Sequence, residues 1–302
     1  VGTYRGVTVY TSPPASGGGA LLLMLNILEN FDLGRMAAGS AESLHLIAET
    51  MRLGHRDRVR FFGDTDFAKV PLEGMTSKAY AAQRAKLINK RKAAKNDAVK
   101  AGDPFAFESP STTHYSVADR YGNVVSVTYT LGSDFGSGTM IDGTGILLNN
   151  QMNNFSHERA WSAARSGEPA PPNAMQPGKR MISTMMPTLV FRDDKPWLAL
   201  GTPGGGRIIN TVLQVLVNIV DFRLNVDEAT HQARISQGDG ALEVEPNFNP
   251  DTLELLRRKG HRIKASETMG SAQSIAIENG FFLGAADPRR PGAAAVAPTE
   301  VK

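Results

Sequence analysis

Cysteine is missing from the 302-residue chain, and no uninterrupted apolar run approaches the roughly 20 residues needed to cross a bilayer. The first absence excludes disulfide bonds and a thiol nucleophile. The second predicts that no segment of this chain spans a membrane. The six histidines are scattered without the spacing of a metal site, and we predict neither a metal ion nor a cofactor.

Neither sign of charge predominates, because the net charge at pH 7 is only +3. The basic excess lies in the run KLINKRKAAKNDAVK, Lys86 to Lys100, which has no interleaved aromatic residues. A phosphate-binding patch and a solvated helix with a linker both fit this run, and the lack of aromatics favours the second. We therefore predict no nucleic-acid partner.

The N-terminus lacks the basic and apolar signature of a signal peptide. The chain begins instead on Val1, directly inside a strand-and-turn pattern. We therefore expect the sequence to be a fragment of a longer protein.

The character of the chain changes near residue 112. Before it, the sequence is mostly helical, and from Ala101 to Ser111 it loses periodicity and gathers Gly, Pro, Ser and acidic residues, which is typical of an exposed, cleavable linker. The elements predicted in this first part are a strand at Tyr4–Tyr10 and helices at Ala20–Leu28, Ala41–Phe62 and Ser77–Lys95.

Strands predominate after Thr112. Two runs rich in β-branched and aromatic residues flank Tyr121 and Gly122, which predicts a β-hairpin. The helix predicted at Ile208–Phe222 is apolar nearly all round and must be buried. Sheets with helices packed outside them predict an α+β fold. The other predicted elements are strands in GILLNN, PTLVFRD and PWLALGT, strands at Leu242–Val244 and Ser274–Ile277, and a helix at Asp251–Lys259.

Thr112 opens the hairpin and is the candidate nucleophile. A threonine hydroxyl needs a neighbouring base, and an N-terminal threonine has one in its own α-amine, whose reference pKa is about 7.7 to 8. The chain must then be cut between Ser111 and Thr112, which the same hydroxyl can do through an N-to-O acyl shift. The alternative is that Thr112 and Thr113 are β-branched residues that merely start a strand.

Four motifs that follow in order carry a family resemblance: TTHYSVADRYGNVVSVTYTLGSDFGSG, GILLNNQMNNFS, PGKRMISTMMPTLVF and GTPGGGRIINTVLQ. With the upstream YRGVTVYTSPPASGGGALLLMLNILENFDL, they closely resemble the γ-glutamyltransferase (γ-glutamyl transpeptidase) family of N-terminal nucleophile (Ntn) hydrolases. The resemblance covers almost the whole chain and implies a four-layer αββα sandwich. Residues 1–111 would be the C-terminal part of a large subunit and 112–302 the small catalytic subunit, which form a heterodimer from one precursor. The first half of the large subunit would be missing.

The resemblance assigns the catalytic roles. Thr112 matches the nucleophile, Ser111-Thr112 the self-cleavage bond, and Thr130 a threonine that supports the nucleophile. Gly204 and Gly205 match the glycines of the oxyanion hole. A glycine turn between a strand and a helix does expose N–H groups at the positive end of the helix. A phosphate cradle is the alternative, but the spacing fits neither GxGxxG nor GxxxxGK[ST].

Substrate contacts are implied at Gln151, Asn154, Ser183 and Thr184. The Ser183 position would bind the glutamate α-carboxylate together with an arginine from the missing half. Asn154 stands where the family usually has an aspartate that meets the substrate ammonium, and Thr184 stands where it has a second serine. Gly132 replaces a larger polar residue.

The segment Ser156 to Gly178 aligns with a lid over the site, although its Pro and Gly content also fits a plain surface loop. The expected substrates are a γ-glutamyl or related acyl amide, with glutathione as the implied donor, and water or an amine such as an amino acid or peptide as acceptor. An acylase of the same fold that acts on glutaryl-type amides and an inactive, unprocessed precursor remain as alternatives. The resemblance implies a periplasmic or extracellular location.

Overall fold

The structure is a computed structural model that describes residues 1–95 and 112–295. Its strands are β1 (Gly2–Tyr4), β2 (Val7–Thr11), β3 (Thr113–Ala118), β4 (Val124–Tyr129), β5 (Met140–Ile141), β6 (Ile146–Leu147), β7 (Thr188–Arg192), β8 (Lys195–Gly201), β9 (Ile235–Ser236), β10 (Leu242–Val244), β11 (Ile263–Ala265), β12 (Gln273–Glu278) and β13 (Phe281–Ala286). Its helices are α1 (Gly18–Leu28), α2 (Ala41–Phe61), α3 (Leu72–Thr76), α4 (Lys78–Ala85), α5 (His157–Ser166), α6 (Ile208–Val220), α7 (Val226–His231) and α8 (Pro250–Arg258).

The central layer is a six-stranded sheet in the order β1-β2-β7-β8-β12-β13, with every neighbouring pair antiparallel. The turn between β7 and β8 uses Asp193 and Asp194 at positive φ, as two-residue hairpin turns require. Strands β1 and β2 form one edge, and β2 pairs with β7. Residues from before and after position 112 therefore share one sheet and one core.

Helices α1 and α6 pack against this sheet from one side. All residues of α1 are buried, and so is most of α6, which confirms the buried helix predicted at Ile208–Phe222 although it ends at Val220. Helix α2 packs closely on α1, because Gly54 faces Met24, where an added Cβ would lie 2.5 Å from the Met24 Cε atom. The helical layer thus covers one face of the central sheet.

The two-stranded sheet β3–β4 packs on the opposite side of the central sheet. Ser116 Oγ donates to the carbonyl of Gln273 at 3.2 Å, and Ser126 Oγ donates to the carbonyl of Leu200 at 3.1 Å. Gly201 leaves room for a histidine between the layers, since a Cβ there would lie 2.2 Å from the His114 Cε1 atom. These contacts fix the hairpin that begins next to Thr112.

The outer face of β3–β4 is apolar and open. Tyr115, Val117, Val125 and Tyr129 are each between 50% and 60% exposed. The described residues therefore stack as helices, sheet and sheet, which confirms the α+β class. The predicted four-layer αββα sandwich would need its second helical layer on this open face.

The single strand predicted at Tyr4–Tyr10 is wrong, because the chain forms the β1–β2 hairpin there. Arg5 and Gly6 both have positive φ and make the turn. Arg5 is held in this conformation by its Nε contact with Asp221 at 3.1 Å. A tertiary ion pair thus places a turn inside what the sequence pattern presents as one strand.

The helix predicted at Ser77–Lys95 is too long, since α4 ends at Ala85. Downstream, the Asn89 side chain accepts hydrogen bonds from the backbone of Arg91 and Lys92, and the Asn89 carbonyl contacts His45 at 2.8 Å. The chain is held by these contacts instead of by helical bonds. The described part of Lys86–Lys100 is therefore mostly exposed, as expected for a solvated segment, but the expected helix is wrong there.

The segment Ser156–Gly178 is only partly a loop. Helix α5 occupies its first half and ends at Gly167 in the left-handed conformation, which suits a helix terminus. The second half is irregular, and Asn173 Nδ2 donates to the Asn154 carbonyl at 2.7 Å. This segment is therefore tied to one of the predicted substrate residues.

The remaining predicted elements are confirmed within a few residues, although GILLNN contributes only the short strand β6. The linker Ala101–Ser111, with its cleavage bond, lies outside the described residues. Within residues 1–95 and 112–295, no helix combines the length and the apolar character needed to cross a bilayer.

Candidate active site

A polar cleft opens between the start of β3 and the start of α6. No charged side chain is present among the described residues that line it, so hydroxyl, amide and backbone groups supply its polarity. Its lining consists of Thr112, Thr130, Gly132, Ser133, Asn150, Gln151, Asn153, Asn154, Ser183, Thr184, Met185, Gly205 and Ile208.

Thr112 lies at one wall of this cleft and is buried. Its Oγ1 donates to Thr130 Oγ1 at 3.2 Å, and Thr130 Oγ1 also accepts from the backbone N–H of Gly132 at 2.9 Å. The pairing of Thr113 with Tyr129 across the hairpin places the two hydroxyls side by side. Thr130 is thus oriented by the backbone to receive the hydroxyl hydrogen of Thr112.

His114, two residues further along β3, is not positioned as a base for Thr112. Its Nδ1 contacts Thr128 Oγ1 at 2.9 Å, and its Nε2 contacts Ser116 Oγ at 3.2 Å. Burial lowers the His114 pKa to about 4, so the ring is neutral near pH 7. His114 therefore links the strands, and a base for Thr112 must come from elsewhere, such as its own α-amine once that is free.

The glycine turn before α6 faces Thr112 across the cleft. Gly204 and Gly205 have φ values of 135° and 56°, which favour glycine, and Gly205 lines the cleft. The first N–H groups of a helix lack partners within it. Thr184 Oγ1 donates to the Gly205 carbonyl at 2.9 Å and fixes the turn, so the geometry suits an oxyanion site.

Ser183 and Thr184 are held by the N-terminal turn SPPASGGG. The backbone N–H of Ser183 donates to the Ala15 carbonyl at 2.5 Å, and Ser16 Oγ donates to the Met185 carbonyl. Gly17 is required here, because a Cβ would lie 2.8 Å from the Thr184 carbonyl oxygen. The sequence pattern of this stretch does not reveal that it supports the site.

The amide side chains of Gln151 and Asn154 form another part of the cleft wall. Asn154 Nδ2 donates to Gln151 Oε1 at 2.9 Å, which leaves the Asn154 carbonyl oxygen as the atom available to a ligand. Within the cleft lining, an acyl group carrying an ammonium would therefore meet amide oxygens and no carboxylate.

Gly132 has a structural explanation. It has φ of 97°, and a Cβ there would lie 1.9 Å from Asn150 Oδ1. Asn150 is held in place by Ser133, whose N–H and Oγ both contact its amide, at 2.9 and 2.7 Å. Asn150 thus occupies the space that a larger residue at position 132 would need, a role that the amide-rich run NNQMNN did not reveal.

Among residues 1–95 and 112–295, one group of buried side chains could offer metal ligands: His45, Glu49 and His261. However, His45 Nδ1 and His261 Nε2 lie 2.7 Å apart, whereas two nitrogens on one tetrahedral zinc ion would be about 3.3 Å apart. Glu49 already pairs with Arg52 at 2.7 Å. The group is a hydrogen-bonded histidine pair beside an ion pair, and sequence spacing could not reveal it because 216 positions separate the histidines.

The structure brings together seven of the predicted site residues in the cleft: Thr112, Thr130, Gln151, Asn154, Ser183, Thr184 and Gly205. Gly204 precedes Gly205 in the same turn, outside the lining. Ser111 lies outside the described residues. The roles assigned to these positions stay predictions.

The chain is similar in sequence and in fold to several known proteins. A family model described as gamma-glutamyltranspeptidase matches residues 1–297. A glutathione hydrolase proenzyme of Escherichia coli K12 is 46% identical over 292 residues, covering 95% of this chain and 50% of that protein. An acylase ACY 1 proenzyme of Pseudomonas sp. SE83 is 36% identical over 296 residues, covering 96% and 50%.

A solved structure, the cephalosporin acylase from Bacillus halodurans, superposes with a TM-score of 0.83 at 29% identity, covering 99% of this chain and 52% of that one. The chain thus spans about half the length of these relatives.

Proposed function

Because the chain belongs to the gamma-glutamyltranspeptidase family, we propose that it carries most of the catalytic core of a self-processing γ-glutamyl amidase and acyltransferase. The supporting observation is the hydrogen bond between the Thr112 and Thr130 hydroxyls at the wall of a cleft lined by uncharged groups. Residues 1–111 would belong to the large subunit of one precursor and residues 112–302 to its small subunit.

Maturation uses the Thr112 hydroxyl. Its oxygen adds to the carbonyl carbon of Ser111, the peptide C–N bond breaks, and the released nitrogen, which is the Thr112 α-amine, takes the hydroxyl proton. Water then hydrolyses the resulting ester. The products are a large subunit that ends at Ser111 and a small subunit that begins with a free amine beside its own hydroxyl.

Turnover repeats this chemistry on a substrate amide. The α-amine takes the Thr112 hydroxyl proton as Oγ attacks the acyl carbon, and the developing oxyanion meets the N–H groups of the Gly204-Gly205 turn. The C–N bond then breaks, and the leaving amine takes the proton. Water or an acceptor amine attacks the acyl-enzyme ester and restores Thr112.

The missing partner is the first half of the precursor. The half-exposed apolar face formed by Tyr115, Val117, Val125 and Tyr129 is a surface that this half would cover. It would also supply an arginine for the substrate α-carboxylate, since the described residues that line the cleft include no cation. Assembly of both halves is therefore needed for full activity.

The test is maturation of the full-length precursor. We expect purified protein to separate into two bands, with the smaller fragment starting Thr-Thr-His-Tyr. An intact mass that stays unchanged after long incubation would support the inactive-precursor alternative and overturn the proposal.

A glutaryl-type amidase is a second candidate, and Asn154 favours it. A γ-glutamyl donor carries an α-ammonium, and a carboxylate at this position would give it a charge-assisted hydrogen bond, whereas Asn154 offers only its carbonyl oxygen. The Asn154 oxygen can still accept a hydrogen bond from the ammonium, but it lacks the negative charge of a carboxylate. The attraction between opposite charges about 4 Å apart is about 1 kcal/mol in bulk water and larger near a protein surface, so the loss corresponds to roughly one order of magnitude in donor preference.

The two candidate functions can be distinguished by measuring kcat/KM of the full-length mature enzyme for a γ-glutamyl anilide and for a glutaryl anilide. Asn154→Asp should raise the preference for the γ-glutamyl donor about tenfold. The wild-type enzyme could prefer the γ-glutamyl donor by more than about a hundredfold, with no change in Asn154→Asp. That result would show that residue 154 does not recognise the substrate ammonium.

A further inference from the structure

The segment after β13 is fixed by a buried ionic cluster that consists of Arg234, Glu245, Asp287 and Arg289. Asp287 accepts the backbone N–H of Ala272 at 2.8 Å and pairs with Arg234 at 2.6 Å. Arg289 pairs with Glu245 at 2.6 Å. The backbone leading into residue 290 is therefore held on both sides of Pro288.

Arg290 extends from this fixed segment to the nucleophile. Its Nη1 donates to the carbonyl oxygen of Thr112 at 3.2 Å. Thr112 is buried, and Arg290 is partly buried and does not line the cleft. The guanidinium therefore reaches Thr112 from behind and leaves the cleft open to substrate.

We propose that Arg290 is a positioning residue for Thr112: its guanidinium holds the Thr112 carbonyl in place and keeps a positive charge beside the α-amine that cleavage creates. The inference rests on the proposed function.

Two contacts then fix Thr112 from different directions. The bond from Oγ1 to Thr130 orients the side chain, and the bond from Arg290 to the carbonyl oxygen orients the backbone. The hydroxyl and the amine of Thr112 both depend on that backbone, and small misplacement of reacting groups is costly to rate.

The charge of Arg290 has a second consequence. A neighbouring positive charge disfavours the protonated form of an amine. Arg290 therefore favours the free-base form of the Thr112 amine, which is the form that accepts the hydroxyl proton. No carboxylate in the described cleft lining acts in the opposite direction.

The experiment compares three variants of the full-length enzyme, Arg290→Gln, Arg290→Ala and Arg290→Lys, with Arg262→Ala as the matched control for the loss of an exposed arginine. The measurements are the extent of self-cleavage, kcat and KM for a γ-glutamyl anilide, and kcat as a function of pH. Thermal unfolding checks that each variant is folded.

We expect Arg290→Gln and Arg290→Ala to lower kcat about tenfold with KM changed less than about threefold. The acidic limb of their kcat profile should move to higher pH, because the amine then loses its proton less readily. Arg290→Lys, which keeps the charge, should move this limb least. Uncut precursor in a folded Arg290→Ala protein, beside cut Arg262→Ala, would also support the proposal.

Unchanged kcat in both neutral variants would overturn the inference, and so would a fall in kcat with an unmoved acidic limb. These outcomes are distinct from failure of the proposed function. If the wild-type precursor neither cleaves itself nor hydrolyses an acyl anilide, the function is wrong whatever Arg290 does.

Discussion

The cleft around Thr112 and the ionic cluster of Arg234, Glu245, Asp287 and Arg289 use opposite chemistry. The described cleft lining has hydroxyls, amides and glycine backbone without one charged side chain. The ionic cluster buries four charges in close pairs. Burial acts to raise the Asp287 pKa, but Arg234 and backbone N–H groups outweigh it, so the pKa is lowered and the carboxylate stays charged.

The difference follows from what each region must do. A carboxylate in contact with the Thr112 amine itself would favour the protonated form of this amine and weaken it as a base. Buried ion pairs, by contrast, fix backbone segments as long as every partner is present. The charges therefore lie behind the nucleophile, and the groups that face substrate are neutral.

The largest effect is expected at the nucleophile. Thr112→Ala should abolish self-cleavage and lower turnover by about a thousandfold or more, because the hydroxyl is the attacking group. Thr113→Ala is the matched control: its side chain is exposed, and it should leave cleavage and appreciable activity. N-terminal sequencing and an anilide assay measure both. If Thr113→Ala were inactive and Thr112→Ala were active, the nucleophile would be Thr113 instead of Thr112.

Removing one member of the ionic cluster should lower the stability of the protein. Asp287→Ala leaves Arg234, which is 1% exposed, without its charged partner at 2.6 Å. Breaking a buried pair in this way costs about 3–5 kcal/mol of unfolding free energy. Urea denaturation of this variant and of Asp142→Ala, which removes an exposed carboxylate, measures the difference. A loss below about 1 kcal/mol would mean that the cluster does not hold the segment before Arg290.

The histidine pair His45–His261 should make the free energy of unfolding depend on pH in the acidic range. Burial lowers both pKa values, that of His261 to about 3, against about 6.5 for an unfolded histidine. For His261 the unfolded state therefore binds more protons between pH 6.5 and about 3, and the free energy of unfolding falls as the pH falls through this range. The slope is at most about 1.4 kcal/mol per pH unit for each histidine.

His261→Gln should flatten this slope, measured by urea denaturation at several pH values. His157→Gln is the control for the loss of an exposed imidazole. An identical slope in wild type and His261→Gln would show that the pair does not titrate as the structure implies.

The sequence by itself determined the elements whose signal is local. Buried helices such as α1 and α6 show as apolar runs, and hairpins show as paired β-rich runs around turn residues. The ordered motifs also led to the family and to seven of the residues that line the cleft. Helical and turn hydrogen bonds, residue propensity and apolar periodicity act between neighbours in the chain, so a single sequence displays them.

Tertiary structure decided what depends on distant partners. The turn at Arg5 forms because Asp221 pairs with it, and the helix after Ser77 ends at Ala85 because His45 and other groups hold the chain downstream. The contact of Arg290 with Thr112 joins positions 178 residues apart. Such contacts gain their energy only after the chain has folded and brought the partners together, so no local pattern in the sequence records them.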